Sequence, residues 1–413
     1  MPGLCFYFQV HQPERIRKFS YFDSSREFNY FDDDRNREIL QKVAAKSYLP
    51  ANALMLDLIK RHKGRFRVAY SITGVAMEQF ERYSPETLES FKRLADTGCV
   101  EFLGETYYHS LSSVYDEGEF RSQIRMHDDM VRKHFGATPR IFRNTELIYD
   151  DAIGRMVSDM GYEGIVAEGV DDILQWRSPN YMYTVPGTST KLLLKNYSLS
   201  DDIAFRFSNR EWNAYPLMAD TFANWVHAYS GSGDLVNLFM DYETFGEHQW
   251  ESTGIFRFLD RLPGEILRHP DWEFVTPSEA IDRCRPVSDL PFHRLTSWAD
   301  VDRDLTAWLG NGMQESALKD IHDLSRKVDA HGDPAVRDIW RKLQTSDHFY
   351  YMCTKWSADG DVHAYFSPFD SPYDAFVNYM NIVKDFSALL DAPTAVQPVK
   401  TKKELRSNLA HAV

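Results

Sequence analysis

Two carboxylates stand just behind apolar runs: Glu146 after RIFRN (140–144) and Asp241 after LVNLFM (235–240). Acids brought together from separate strand ends are the minimum equipment for cleaving a glycosidic bond. One attacks the anomeric carbon or activates water, and the other protonates the departing oxygen. These roles demand opposite protonation states, so one of the pair must be ionised while the other first holds a proton. A separation of roughly 5–5.5 Å between the two carboxyl groups would mean retention of configuration, and about 6.5–9.5 Å inversion. Other runs also end in polar groups. His11 and Gln12 follow the first, Glu101 lies within the third ahead of Glu105, Tyr107, Tyr108 and His109, and Glu243 and Trp250 follow Asp241. An imidazole or amide at a strand end can donate to a sugar hydroxyl, which assigns His11 and Gln12 to substrate binding. Glu101 and Glu243 are read as substrate contacts, with ion pairing as the competing use. Trp250 is read as a ring to stack on a sugar, with core packing as its competing use.

The elements that must position these groups alternate along the chain. Apolar runs at 4–10, 66–72, 99–103, 140–144, 164–168, 191–195 and 235–240 predict seven strands, and WEFVT (272–276) leaves the count open by one. Helical segments separate them. Ser84, Pro85 and Glu86 open one that stops at Gly98, another runs from Glu117 to Phe135 before Gly136, and a third follows Asp150 and stops at Gly161. Strands joined by helices are parallel and buried on both faces, so a TIM-like barrel or an open doubly wound sheet is expected. Active sites in such folds lie at the carboxyl ends of the strands, where the polar residues above fall. Beyond about residue 290 only helical periodicity remains, in 300–310, 315–330, 334–344 and 372–390. The expected organisation is a catalytic domain over 1–290, a helical domain over 291–392 that contributes to the cleft, and a polar tail over 393–413 carrying KTKK.

Composition narrows the partner. The 413 residues carry a net charge of −14, which opposes nucleic acid and anionic membranes. Aromatic residues make up 14%, and rings with an apolar body and a polar edge suit sugars. No run is long enough to span a membrane and none has the form of a signal peptide, so cytoplasmic residence is expected. The four cysteines show no C-x-x-C spacing, and Asp32, Asp33 and Asp34 lack the glycine-punctuated spacing of a calcium loop. No metal or cofactor is expected.

Five stretches in order resemble the conserved regions of glycoside hydrolase family 57. They are His11-Gln12-Pro13, Gly98-Cys99-Val100-Glu101, Arg143-Asn144-Thr145-Glu146-Leu147, Asp241-Tyr242-Glu243-Thr244-Phe245-Gly246 and Ser346-Asp347-His348-Phe349-Tyr350-Tyr351. The resemblance implies a seven-stranded incomplete TIM-like (β/α)7 barrel followed by a helical bundle. It also implies metal-independent retaining chemistry on α-1,4-glucans, Glu146 as nucleophile, Asp241 as acid/base and Asp347 as a substrate contact. The third stretch reads FRNTEL where the family often carries a tryptophan, which is similar to its α-amylase-like group. A 4-α-glucanotransferase or branching enzyme shares the covalent half-reaction. A metal-dependent deacetylase would need paired histidines and an acid, for which His127 and His134 are poorly spaced. A non-catalytic glycan-binding protein would not need both carboxylates.

Overall fold

Alternation along the strands sorts the core into an inside and an outside. In the computed structural model, which describes residues 2–23, 27–355 and 367–391, all seven expected runs are strands. They are β1 (Gly3–Val10), β2 (Val68–Ile72), β3 (Val100–Phe102), β4 (Ile141–Arg143), β5 (Gly164–Glu168), β7 (Lys191–Lys195) and β8 (Leu235–Asp241). Two short strands join them. β6 (Tyr183–Thr184) lies antiparallel to β7, and β9 (Glu273–Phe274), inside the eighth run, pairs with the start of β1.

Pairing divides these strands between two sheets. One has the order β3-β2-β1-β8 with β9 also on β1, all parallel, and the other has the order β4-β5-β7-β6. The sheets meet at two seams. Gly104 N–H donates to Ile141 O (2.9 Å) and Arg143 N–H to Gly104 O (2.8 Å). At the other seam Asn237 Nδ2 donates to Leu194 O (2.8 Å) and Asn196 N–H to Asn237 O (2.9 Å). A Cβ on Gly104 would lie 2.2 Å from the Tyr162 hydroxyl, so the first seam requires glycine.

Cys5, Tyr7, Ala69, Ile141, Val166, Leu193, Leu235 and Phe239 share one interior cluster. The alternate residues face outward, as the period of two dictates. Phe6, Phe8, Tyr70, Leu238 and their neighbours pack on helices that include Asp33–Val43, Leu49–Arg61 and Ile255–Ile266. Phe142, Ile165, Ala167, Leu192 and Leu194 share a core with the C-terminal helices Gly312–Asp323, Pro334–Lys342 and Pro372–Asp391. Each such side chain contributes about 1.5–3 kcal/mol when fully buried, so this shared core ties the C-terminal helices to the rest of the fold.

Followed to the carboxyl ends, the inward set changes character and reads Gln9, Ser71, Arg143, Glu168, Lys195 and Asp241. A polar layer therefore lies over an apolar plug.

The helices carry the expected stops with some differences. Gly136, at φ +65°, ends Glu117–Phe135, and the Asp150 carboxylate caps Asp151–Asp159 by accepting from Ile153 N (2.9 Å). The segment expected as a helix over 300–310 is helical only at Thr306–Leu309, because Ser297 ties it into a loop through Arg303 O and Asp304 O. The segment over 315–330 divides at Leu324 into Gly312–Asp323 and Ser325–His331. Asp32 accepts from Arg35 N (3.0 Å) and caps Asp33–Val43. The tail at 393–413 lies outside the described residues. Among the described residues no helix is long and apolar enough to cross a membrane.

Candidate active site

Glu146 follows β4 in a tight turn with φ +56° and ψ +25°. His109, after β3, has φ +51°, and both conformations are costly for residues with a Cβ, by about 1–2 kcal/mol each. Each strained residue is clamped through its carbonyl by another segment: Trp298 N–H donates to Glu146 O (3.2 Å) and Ser346 N–H to His109 O (2.9 Å). The strain brings the two side chains together. His109 Nε2 lies 3.0 Å from Glu146 Oε1, and Trp298 Nε1–H donates to Glu146 Oε2 at 2.7 Å. Both carboxylate oxygens are thus held, and Ser346 Oγ adds a longer contact to Oε1 (3.4 Å).

These contacts set charge. Burial pushes the Glu146 carboxyl up, but the His109 hydrogen bond and charge, the Arg143 charge and the Trp298 donor outweigh it and leave it below its ordinary value. Burial depresses His109, yet its bonds to Glu105 and Glu146 hold it up to about 9, so it is an imidazolium at neutral pH. Glu105 is fully buried, 3.5 Å from His109 Nδ1, and accepts from Gln9 Nε2 (3.3 Å). Asp241 ends β8 in register with Gln9. Burial and the Glu146 charge raise it to about 6, so its environment opposes that of Glu146.

A second imidazole stacks on the first. The His11 and His109 rings lie 4.0 Å apart at 22°. His11 Nδ1 meets Thr73 Oγ1 (2.9 Å), and its Nε2 meets Asp347 Oδ2 (3.0 Å) on the helix Ser346–Tyr350. Burial and the His109 charge lower His11, against the Asp347 charge and hydrogen bond, which raise it. Burial alone would raise Asp347, but His11 and its hydrogen bond take it well below its ordinary value.

Trp298 is itself fixed by a buried ionic group. Arg143 lies over its ring at 4.9 Å and Lys195 Nζ at 5.5 Å. Arg303 donates to Trp298 O (2.6 Å) and pairs with Glu168 (3.4 Å) and Asp201 (3.2 Å), while Lys195 pairs with the same two acids at 3.2 and 3.3 Å. Glu168, Lys195 and Arg143 are buried inward residues of β5, β7 and β4. The Arg143 guanidinium makes no hydrogen bond among the described residues and lies 4.0 Å from Glu105 Oε2, so it acts through charge and through the Trp298 ring.

Of the residues predicted from sequence, Glu146, Asp241, His11 and Asp347 gather at this cluster. Glu243, buried two residues past Asp241, accepts from the Tyr48 hydroxyl, and burial with the Asp241 charge raises it to about 8. Gln12 is buried and donates to the same Tyr48 hydroxyl (3.1 Å), which places it behind Glu243. That turn needs Gly246, at φ +113°, because a Cβ there would lie 2.1 Å from Lys46 O. Trp250 is 58% exposed with Lys46 Nζ at 5.9 Å, outside the core. Glu101 is not brought to the cluster. Its carboxylate accepts from Ser278 N (2.8 Å) and Ser278 Oγ (2.5 Å) at the start of the helix Pro277–Arg283, close to Cys5 and Arg140 at the opposite ends of the strands. Its expected substrate contact is corrected to helix capping, since those N–H groups have no helical acceptor.

Arg143, Glu168, Lys195, Asp201, Trp298 and Arg303 have no assigned role in the sequence reading. The strand residues among them share the inward parity of Asp241; Trp298, Arg303 and Asp201 carry no such signal. Among the described residues no group of three or more His, Cys, Asp or Glu side chains is arranged to hold a metal ion. His127 is fully buried and meets Ile72 O (2.9 Å), and His134 meets Glu81 (3.3 Å).

The chain matches the model of "Glycosyl hydrolase family 57" over residues 5–291. A protein of Methanocaldococcus jannaschii named "Putative alpha-amylase" is 44% identical over 395 residues, covering 93% of this chain and 84% of that one. Among solved structures, a GH57-type branching enzyme from Pyrococcus horikoshii superposes with TM-score 0.66 at 18% identity, covering 94% of this chain and 89% of that one. The alpha-amylase AmyC from Thermotoga maritima gives TM-score 0.61 at 16% identity, covering 94% and 93%. These likenesses extend to the α/β fold with its parallel strands. With the family model spanning most of its length, this chain belongs to glycosyl hydrolase family 57 and is a glycoside hydrolase.

Proposed function

We propose that the chain is a retaining hydrolase of α-1,4-glucosidic bonds in α-glucans, with Glu146 as nucleophile and Asp241 as general acid/base. One observation carries this reading: two carboxyls at the ends of β4 and β8 have their acidities moved in opposite directions, Glu146 downward and Asp241 up to about 6. That is the division of labour a double displacement needs. In the first step Glu146 bonds to the anomeric carbon as the glycosidic C–O bond breaks, and the Asp241 proton passes to the leaving oxygen. In the second, Asp241 takes a proton from water, the hydroxide oxygen bonds to the anomeric carbon, and Glu146 leaves as a carboxylate. His109 and Trp298, one on each Glu146 oxygen, orient the nucleophile and stabilise its charge when it departs.

His11, Asp347 and Glu243 are read as the polar wall that binds sugar hydroxyls, Gln12 as a buried support behind Glu243 through Tyr48, and Trp250 as an exposed ring for stacking on a sugar. We read the two sheets as halves of an incomplete (β/α)7 barrel within residues 1–290. The helices of 291–392 are read as the part that completes the cleft, since Asp347 and Ser346 reach it from there. The name of the Methanocaldococcus relative supports an α-glucan substrate.

Incubation with maltoheptaose, following anomeric configuration by NMR and chain length by chromatography, tests the reading. Initial release of the α-anomer with rising reducing ends is expected. The β-anomer would refute retention, and longer products without new reducing ends would establish glucanotransfer in place of hydrolysis. Glu146→Gln should abolish turnover and keep glucan binding.

A further inference from the structure

A second concavity lies on the far side of the helix Tyr197–Ala204, away from the ionic group around Trp298. It has a volume of about 1010 Å3 and is bounded by that helix, the loop at 205–214 and the helix Ala219–His227. Asp201 faces Lys195 and Arg303 at the active site, whereas its neighbour Asp202 lines this groove. Consecutive residues of one helix thus serve two separate surfaces.

Three partly buried aromatic residues, Trp212, Trp225 and Tyr229, rest against the core and line the cavity. The rings of Trp212 and Trp225 stand 6.0 Å apart at 73°, giving two platforms set at an angle. Arg206 is held by Asp202 (2.6 Å) and by Ser198 O (2.9 Å), and its guanidinium lies 5.8 Å from the Trp212 ring centre. The guanidinium charge is therefore matched within the groove, which removes the attraction for a phosphate or carboxylate ligand. Asn213 adds an exposed amide. Rings edged by neutral or charge-matched hydrogen-bonding groups suit a ligand with apolar C–H faces and many hydroxyls. An open groove, in contrast to a closed pocket, suits a chain that continues past it. Angled platforms suit an α-1,4-glucan, whose successive sugar faces turn along the strand.

We propose that this groove is a non-catalytic binding site for α-glucan chains, which holds polymeric substrate while cleavage proceeds at the Glu146–Asp241 cluster. The ligand class rests on the function proposed above.

The test compares polymer with oligomer in the full chain. Trp212→Ala and Trp225→Ala are each made in the active enzyme and in Glu146→Gln, and binding to amylose is measured in the inactive background by affinity electrophoresis. Each Trp→Ala change should weaken amylose binding about tenfold, as removal of one stacked ring worth about 1.4 kcal/mol would. In the active enzyme, kcat/KM on amylose should fall by a similar factor while kcat/KM on maltotetraose stays at the wild-type value. Should a tryptophan variant fail to fold, Ala228→Arg, at an exposed position on the groove wall, obstructs the groove without touching the core and should give the same split. Unchanged amylose binding in folded variants overturns the proposal, and so does an equal loss on both substrates. Absence of any wild-type activity on maltotetraose would instead overturn the proposed function, and the binding arm would still report on the groove.

Discussion

Trp298→Phe isolates one hydrogen bond of the active site. Phenylalanine keeps a ring beneath Arg143 and Lys195 and a backbone carbonyl for Arg303, but loses the Nε1–H that meets Glu146 Oε2 at 2.7 Å. A hydrogen bond to a charged group is worth about 1.5–3 kcal/mol. The donor matters most where Glu146 regains its charge, in the breakdown of the glycosyl-enzyme, so the full value bears on that barrier. A fall in kcat of about 10- to 100-fold is expected. Trp298 is also one of the groups that lower Glu146, so its loss moves the acid limb of the pH profile toward higher pH. Initial rates of reducing-end release from maltoheptaose, measured across the acid range for both enzymes, check both effects. Trp298→Ala, which also removes the ring, should be worse in kcat and less stable, since Arg143 and Lys195 lose their cation–π partner. If Trp298→Phe keeps kcat within about twofold of wild type and its acid limb does not move, the Trp298 donor has no part in holding the nucleophile.

Activity should decline as pH rises through about 6, because Asp241 must be protonated in the free enzyme and is half-ionised there; kcat/KM against pH reads this directly. Asp241→Asn should lose nearly all activity on maltooligosaccharides yet retain formation of the glycosyl-enzyme from an aryl glucoside with a good leaving group, visible as a burst of phenolate. His109→Asn should raise the acid limb, since the His109 bond and charge oppose burial at Glu146, and should lower kcat more than Trp298→Phe because a full charge is removed. Glu101→Ala should leave kcat/KM near wild type and reduce stability by about 1 kcal/mol through the lost acceptor for Ser278 N–H and Oγ–H, although Thr276 and Glu279 still cap that helix, as read from the urea unfolding midpoint.

The apolar runs made all seven strands legible, since a parallel strand buried on both faces needs apolar residues throughout. The two acids were legible because they break such runs at the ends where parallel sheets place their sites. The same rule carried further would have reached Arg143, Glu168 and Lys195, which lie within the runs but share the inward parity of Asp241. Reading the runs as uniformly buried hid that parity. Glu101 failed for a related reason: it lies inside β3, short of the end, and its carboxylate serves a helix that the chain forms far later.

Composition and pattern, acting locally, determined the alternating strands and helices, the helical C-terminal region, and an acid at each of two strand ends. Tertiary structure alone decided which groups those acids would meet. Trp298, Ser346 and Asp347 arrive from segments with no periodic relation to the strands, and the backbone N–H groups of Trp298 and Ser346 hold the left-handed Glu146 and His109 through their carbonyls. The charge on each carboxyl follows from that packing, because acidity depends on burial and on neighbours within a few ångströms, and distance along a chain does not report distance through space.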